Sequence, residues 1–224
     1  MNYVFISGPI RPNVDRVIEV IKNKRMQFED SKIFFSTWKN NSDNLEIRNL
    51  VDYFIEEDEP TDEFIFNSID SRTYQQTQHG SLEHWTLSFY KMFYGIKNIF
   101  SFIEKNNLKI PEKVIRTRSD LIISFDKNYL SEILNNSDSY FVYDRLNSGA
   151  NFCDLFGISN FENMKKVWFY DDFKHLNDDL RCVWNIEELI KQRTHKNNLK
   201  ISYFDKSKIN DFYIFKNDFL QILE

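Results

Sequence analysis

Short β-branched and aromatic runs recur through the first third of the chain, separated by a segment of helical periodicity. Tyr3-Val4-Phe5-Ile6-Ser7 is closed by Gly8-Pro9 and reads as a buried strand followed by a turn. From Pro12, which suits a first helical turn, Val14, Val17, Ile18 and Ile21 fall at helical spacing. Ile33-Phe34-Phe35-Ser36-Thr37 reads as a second strand. Leu50-Val51-Asp52-Tyr53-Phe54-Ile55 reads as a third, followed by the acidic loop Glu56-Glu57-Asp58-Glu59-Pro60. This order points to βαβ units and a parallel sheet.

The rest of the chain continues the pattern. A helix is expected from about Ser71 to Glu104, with Trp85, Leu87, Ser88, Met92, Ile96, Ile99 and Phe102 or Ile103 on its apolar face. Gly80 and Gly95 are expected to break or kink it. After Pro111, Lys113-Val114-Ile115-Arg116-Thr117-Arg118 reads as a strand ending at Ser119-Asp120. Helices follow over Asn128–Leu134, around Phe161, Met164, Val167 and Trp168, and near Asn185–Lys191. Strands fit Ser139–Tyr143, Asn151–Gly157, Lys200–Phe204 and Phe212–Phe215. No repeat or linker divides the 224 residues, so one α/β domain with a mostly parallel central sheet flanked by helices is expected.

Composition removes several function classes. Only five glycines are present, and neither G-x-G-x-x-G nor G-x-x-x-x-G-K-[ST] occurs, so a bound nucleotide must have its phosphates held without a glycine cradle. A net charge of -5 offers no basic stripe for a nucleic-acid backbone, so no nucleic-acid partner is expected. Cys153 and Cys182 are too few for a disulfide scaffold and read as small buried thiols. With no signal peptide and no transmembrane segment, a cytoplasmic protein is expected, with peripheral membrane association left open. The histidines His79, His84, His175 and His195 form no metal-binding spacing. The aromatic content of 17% reads mostly as core, with Trp38 set apart because it follows a strand end.

In an open parallel sheet, ligands sit at the carboxyl ends of the strands. Those ends supply Ser7, Gly8 and Arg11; Ser36, Thr37, Trp38 and Lys39; and Arg116, Arg118 and Asp120. Two arginines at i and i+2 share a strand face, and Asp120 shares it too if the strand persists. Paired arginines need anions, because they keep their charge when buried. A diphosphate meets that need, with Asp120 reaching it through a divalent cation, and a structural ion pair with Asp120 meets it equally well.

The ordered segments Tyr3-Val4-Phe5-Ile6-Ser7-Gly8-Pro9-Ile10-Arg11, Phe35-Ser36-Thr37-Trp38-Lys39, Arg72-Thr73-Tyr74-Gln75-Gln76-Thr77-Gln78-His79-Gly80 and Arg116-Thr117-Arg118-Ser119-Asp120-Leu121 resemble the motifs of the WavE-like lipopolysaccharide-synthesis family, glycosyltransferases of GT-A type. The resemblance covers roughly the first 125 residues well. It implies a GT-A-like single domain over residues 1–224, with a nucleotide-sugar-binding half (1–125) and an acceptor-side half (126–224). It also implies transfer of a sugar from a nucleotide-sugar donor to a glycan acceptor in surface polysaccharide biosynthesis, of lipopolysaccharide or capsule type. Donor binding then falls to Ser7, Gly8, Arg11, Thr37, Trp38, Arg116, Arg118 and Asp120. Asp120 corresponds to the last acid of a metal-binding D-x-D motif for Mn²⁺ or Mg²⁺. Arg118 stands where the first acid of that motif would be, which offers a cationic side chain for the leaving diphosphate.

For the base that takes the acceptor proton, Asp154 in Asp154-Leu155-Phe156-Gly157 is the first choice and Glu187 the second. Asp171 and Asp172 read as a solvated mid-helix face. A different class of function stays open: a non-catalytic carbohydrate- or protein-binding module on a degenerate transferase fold, whose Asp120 pocket would be filled by Phe or Tyr rings. A phosphotransferase or nuclease ranks below both, for want of a second well-placed acidic cluster.

Overall fold

A computed structural model describes residues 1–11, 13–39, 45–68, 82–136, 138–143, 153–180, 186–216 and 219–222. The expected alternation opens the chain: β1 (Asn2–Ser7), α1 (Val14–Gln27), β2 (Ser31–Trp38), α2 (Leu45–Leu50) and β3 (Tyr53–Glu57). Asn13 caps α1, its side chain accepting from the Arg16 amide at 3.0 Å. Next come α3 (Asp62–Ser68), α4 (Leu82–Lys105), β4 (Val114–Arg118), β5 (Leu121–Phe125), α5 (Lys127–Asn135), β6 (Ser139–Val142) and β7 (Gly157–Ser159). The last elements are α6 (Phe161–Trp168), α7 (Phe173–Leu180), α8 (Ile186–Lys196), β8 (Lys200–Tyr203), β9 (Ile209–Lys216) and β10 (Phe219–Ile222).

Seven strands form the central sheet in the order β3-β2-β1-β4-β7-β6-β8. The pairs β3-β2, β2-β1 and β1-β4 are parallel, β7 runs antiparallel to both β4 and β6, and β8 is parallel to β6. One reversed strand in an otherwise parallel sheet agrees with the expected mixed α/β architecture. A smaller antiparallel sheet, β10-β9-β5, begins where β4 ends.

Strand periodicity sorts the side chains into two cores. Tyr3, Phe5, Phe34, Val114 and Val142 face α4 and α6, meeting Phe93, Ile96, Phe100, Met164 and Trp168. Val4, Ile6, Ile33, Phe35, Ile115 and Ile158 pack on the other side with Val17 and Ile21 of α1 and with Leu121 and Ile123 of β5. Much of the aromatic content goes here: Phe5 meets Phe34 and Phe100 edge-on at 5.6 and 5.3 Å, and Phe34 stacks on Tyr53 at 4.4 Å.

Several elements depart from the sequence reading. Leu50 closes α2, and the third strand starts only at Tyr53. Asp52 holds the intervening turn, accepting from the Ile33 amide at 2.9 Å and from Lys32 at 2.8 Å. Gly95 does not break α4, which runs through it. It faces the strand ends: a Cβ there would make ordinary contact, 3.4 Å from the Ser7 Cβ and 3.9 Å from the Ser36 hydroxyl. Gly80 lies outside the described residues, as do Trp85 and Leu87 as side chains. Asp171 and Asp172 are exposed but precede α7, and Asp172 accepts from the Lys174 amide at its start. Of the strand expected over Asn151–Gly157, residues 151 and 152 lie outside the described residues and 153–156 are not strand, so that β7 starts at Gly157; β5 is not among the strands the sequence reading expects.

Lys24 of α1 is fully buried against β5, its ammonium 3.5 Å from the Ile123 carbonyl and 5.8 Å from the Phe156 ring centre. Burial pulls its pKa down to about 7 from the usual 10.5. The unfolded chain therefore binds more protons than the folded one between those values, so stability rises with pH across that interval. Below pH 7 the folded state carries the full cost of a buried charge; above 10.5 the cost is gone. Lys24→Met is expected to raise stability at pH 6 by about 1–4 kcal/mol and to flatten the alkaline rise, as measured by urea unfolding across pH.

Candidate functional site

Strand register brings the expected residues to one edge. Ser7 at the end of β1 pairs with Ser36 of β2 on one side and Arg118 of β4 on the other. Arg116 pairs with Phe5, which puts both arginines on the sheet face covered by α4 and α6. Thr37 and Thr117 alternate to the opposite face, and both are fully buried.

Beyond β1 the chain turns sharply. Gly8 has a φ of +135°, a conformation that glycine adopts freely and other residues rarely reach. Its amide donates to the Ser36 carbonyl at 3.1 Å, and the Ser119 hydroxyl donates to the Pro9 carbonyl at 2.8 Å. These bonds draw the segment after β1 over the turn between β4 and β5. There the Arg11 Nε lies 3.2 Å from Asp120 Oδ2. Arg118 grips the same carboxylate in a fork, Nε to Oδ1 at 2.8 Å and Nη2 to Oδ2 at 2.6 Å. On its backbone side, the Asp120 carbonyl accepts from the Phe215 amide of β9 at 2.9 Å.

Asp120 is 3% exposed, whereas the side chains of Arg118 and Arg11 keep 24% and 52% of their surface open. The carboxylate is thus a buried hub, and its two arginines reach solvent. Burial alone would lower the Arg118 pKa. The hydrogen bonds and charge of Asp120, with the charge of Asp154, outweigh it and raise the pKa above its ordinary value.

Arg116 sits deeper. It is completely buried, and none of its three guanidinium nitrogens has a hydrogen-bond partner among the described residues. Its Cζ lies 4.1 Å from the centre of the Trp168 ring, a cation–π contact, and the Trp168 indole donates to the Tyr140 hydroxyl at 2.9 Å. Desolvation lowers the Arg116 pKa to about 10, opposed chiefly by the charge of Asp154. Desolvation likewise pushes Tyr140 up to about 12. Asp154, 8% exposed, lies just before β7 and interacts through its charge with both Arg116 and Arg118. Cys153 beside it is buried, as the sequence reading expects, and Cys182 lies outside the described residues.

The expected residues therefore divide. Arg11, Arg116, Arg118, Asp120 and Asp154 form one cluster, with Ser7 and Gly8 at its rim. Trp38 is 4% exposed and packs on α4 beside Tyr94, the ring centres 6.1 Å apart. Thr37 belongs to the opposite core. Glu187 lies in the first turn of α8, which packs against α6. Arg72–Gly80 lies outside the described residues. Sequence reasoning missed Ser119, Tyr140 and Trp168. Only Ser119 carried a local clue, its place between Arg118 and Asp120.

Asp120 is also where a divalent cation is expected. Such a cation is held by carboxylate and other oxygen lone pairs, commonly from one or two carboxylates plus the substrate phosphates. Here both Asp120 oxygens already accept from guanidinium groups, one of them that of Arg118 two residues before it. Among the described residues no group of three or more His, Cys, Asp or Glu side chains is arranged to hold a metal ion. The donor set among the described residues does not fit a cation.

No protein-family model matches the chain, and no curated protein does. Solved structures do. Core-mannan synthase A from Aspergillus fumigatus, in an Mn/GDP form, superposes with a TM-score of 0.53 at 11% identity, over 91% of this chain and 73% of that one. The mannosyltransferase PcManGT from Pyrobaculum calidifontis, in complex with GDP-Man and Mn²⁺, gives 0.51 at 6% identity, over 92% of this chain and 55% of that one. An active-site mutant of LgtC gives 0.50 at 12% identity, over 92% and 73%. The shared architecture is the GT-A fold. No helix among the described residues is long and apolar enough to cross a membrane.

The turn at Gly8 is open to a direct check. A Cβ there would lie 3.3 Å from the Ser119 hydroxyl, and the positive φ is strained for any side chain. Gly8→Ala is expected to cost about 1–3 kcal/mol in urea unfolding. Adding Ser119→Ala is not expected to restore it, because the cost arises in the backbone.

Proposed function

We propose that this protein is a glycosyltransferase that moves a sugar from a nucleotide-sugar donor to a glycan acceptor. The observation that carries this reading is the cluster of Arg118, Arg11 and Asp120 where β4 ends in a GT-A fold. Two partly open guanidiniums there are held by one buried carboxylate. The names of similar structures support it, since two include GDP or a GDP-sugar. In this reading the segment from Ser7 to Arg11 receives the nucleotide, with Thr37 and Trp38 shaping the strand edge beside it. Arg118 and Arg11 hold the diphosphate, and Arg116 adds charge from beneath.

Chemistry at such a site depends on the leaving group. The bond from the anomeric carbon to the diphosphate oxygen breaks as the acceptor oxygen attacks, and negative charge grows on the diphosphate. Guanidiniums fixed before the reaction stabilise that charge without reorganising. The acceptor hydroxyl gives its proton to a carboxylate. Asp154 is the first candidate because it sits in the cluster, with Glu187 of α8 the second. A bound Mn²⁺ or Mg²⁺ would supply further charge to the diphosphate, but the described residues offer it no cage, and no step is assigned to it.

The pathway we propose is surface polysaccharide synthesis of the lipopolysaccharide or capsule type. It rests on the four ordered motifs resembling the WavE-like family. A cytoplasmic location with peripheral membrane association fits that pathway. The division into a donor half (1–125) and an acceptor half (126–224) is part of the same proposal. It is supported by Ser7, Arg11, Arg118 and Asp120 lying in the first part and Asp154 and Glu187 in the second. The binding-module alternative expects rings in the Asp120 pocket, whereas the carboxylate meets guanidiniums.

Titration calorimetry against uridine, guanosine and cytidine diphosphates tests the reading. At least one is expected to bind, with affinity falling tenfold or more in Arg118→Ala, a loss of about 1.4 kcal/mol or more. Asp154→Asn is expected to keep nucleotide binding while abolishing sugar transfer. Failure of all three nucleotides to bind would overturn the proposal.

A further inference from the structure

We infer that Arg11 and Arg118, pre-oriented by Asp120, take the place of a divalent cation at the donor diphosphate, so that donor binding is metal-independent. This deepens the glycosyltransferase reading and rests on it.

The lone pairs of Asp120 are already in use. Oδ1 accepts from Arg118 Nε at 2.8 Å; Oδ2 accepts from Arg118 Nη2 at 2.6 Å and from Arg11 Nε at 3.2 Å. A metal ion could join only by displacing guanidiniums from a carboxylate that is 3% exposed. It would then stand beside the arginines it displaced, and like charges repel across a few ångströms of partly dry protein. Arg118, only two residues before Asp120, adds directly to that repulsion.

What Asp120 leaves unused favours a phosphate ligand. The bonds to Asp120 occupy the Nε–Nη2 edge of Arg118 and only the Nε of Arg11. The Nη1 end of Arg118 and both Nη groups of Arg11 are therefore not committed to it. Both side chains reach solvent. Planar guanidinium forks match pairs of phosphate oxygens, so two of them on a fixed pivot can span adjacent phosphates. Among the described residues three guanidiniums, with Arg116 beneath, face two carboxylates, Asp120 and Asp154, so positive charge is in excess there before any ligand arrives. Arg116 strengthens the field without reaching the ligand, since it is completely buried over Trp168.

Asp120 in this arrangement is a counter-ion and a pivot, which separates it from a metal ligand by experiment. Asp120→Asn removes the negative charge and turns one of the two acceptor oxygens into an N–H donor facing a guanidinium, which breaks half of the fork. A metal ligand so altered weakens donor binding only where the metal is supplied. A pivot so altered loosens the arginines equally with and without metal.

The test is calorimetric titration of the full chain with the nucleoside diphosphate that binds best, once in EDTA and once in excess MnCl₂. Dissociation constants within about threefold of each other are expected, together with no heat from Mn²⁺ added to the protein alone. Asp120→Asn is expected to weaken binding by the same factor in EDTA and in MnCl₂. Arg118→Gln is expected to bind at least tenfold more weakly, with thermal unfolding confirming that both variants fold. Binding that appears only with Mn²⁺, or that Asp120→Asn weakens only in MnCl₂, would overturn the inference and leave the donor reading intact. No nucleotide binding in either buffer would overturn the donor reading, and this inference with it.

Discussion

The Asp120 carboxylate is shared between Arg118 of its own turn and Arg11 of the segment after β1, and much of the site's geometry follows from that sharing. Through Arg118 it fixes how β4 ends. Through Arg11, together with the Ser119 bond to the Pro9 carbonyl, it ties down the residues that leave β1. Its own carbonyl is held by β9, so the small second sheet braces the turn from outside. An ion pair between long exposed side chains contributes little. Here one partner is almost wholly buried, and removing the carboxylate would leave Arg118 uncompensated, the situation that costs most.

A second layer lies under this hub. Arg116 is a charge taken entirely out of water, held by the Trp168 ring and by the charge of Asp154 in place of hydrogen bonds. Trp168 is in turn fixed by Tyr140, and Tyr140 crowds the position where Gly157 pairs with Arg116. A Cβ on Gly157 would come within 2.8 Å of the Tyr140 hydroxyl. Aromatic side chains, glycine and arginine at this edge therefore depend on one another. The scarcity of glycine takes on meaning here: Gly8 permits a turn and Gly157 a close approach at the strand ends, where a phosphate-binding glycine loop would otherwise be sought.

Much of this was legible in the sequence where information is local. β-branched and aromatic runs located β1, β2 and β4, and the i, i+2 spacing put Arg116 and Arg118 on one face. The two readings left open at Asp120, ion pair or anion site, turn out to be compatible, since the ion pair is formed and leaves guanidinium donors over. What could not be read depends on distance along the chain. Arg11 meets Asp120 across 109 residues, and no spacing rule joins them. Trp168 looked like any core residue on a helix face, which it also is. β5 was missed because Leu121-Ile122-Ile123 follows the Asp120 turn with no separating segment, and its partner β9 lies far along the chain. Leu50 was assigned to a strand because an apolar run at an element boundary does not reveal which element owns it.

If the donor diphosphate meets positive charge fixed by Asp120, a crystal structure of the protein with a nucleoside diphosphate, grown in EDTA, will show it. Phosphate oxygens are expected within hydrogen-bond distance of Arg118 and Arg11, with the Asp120 carboxylate still joined to both. A diphosphate bound away from these arginines, or one seen only when Mn²⁺ is supplied and then bridged by the metal to Asp120, would contradict it.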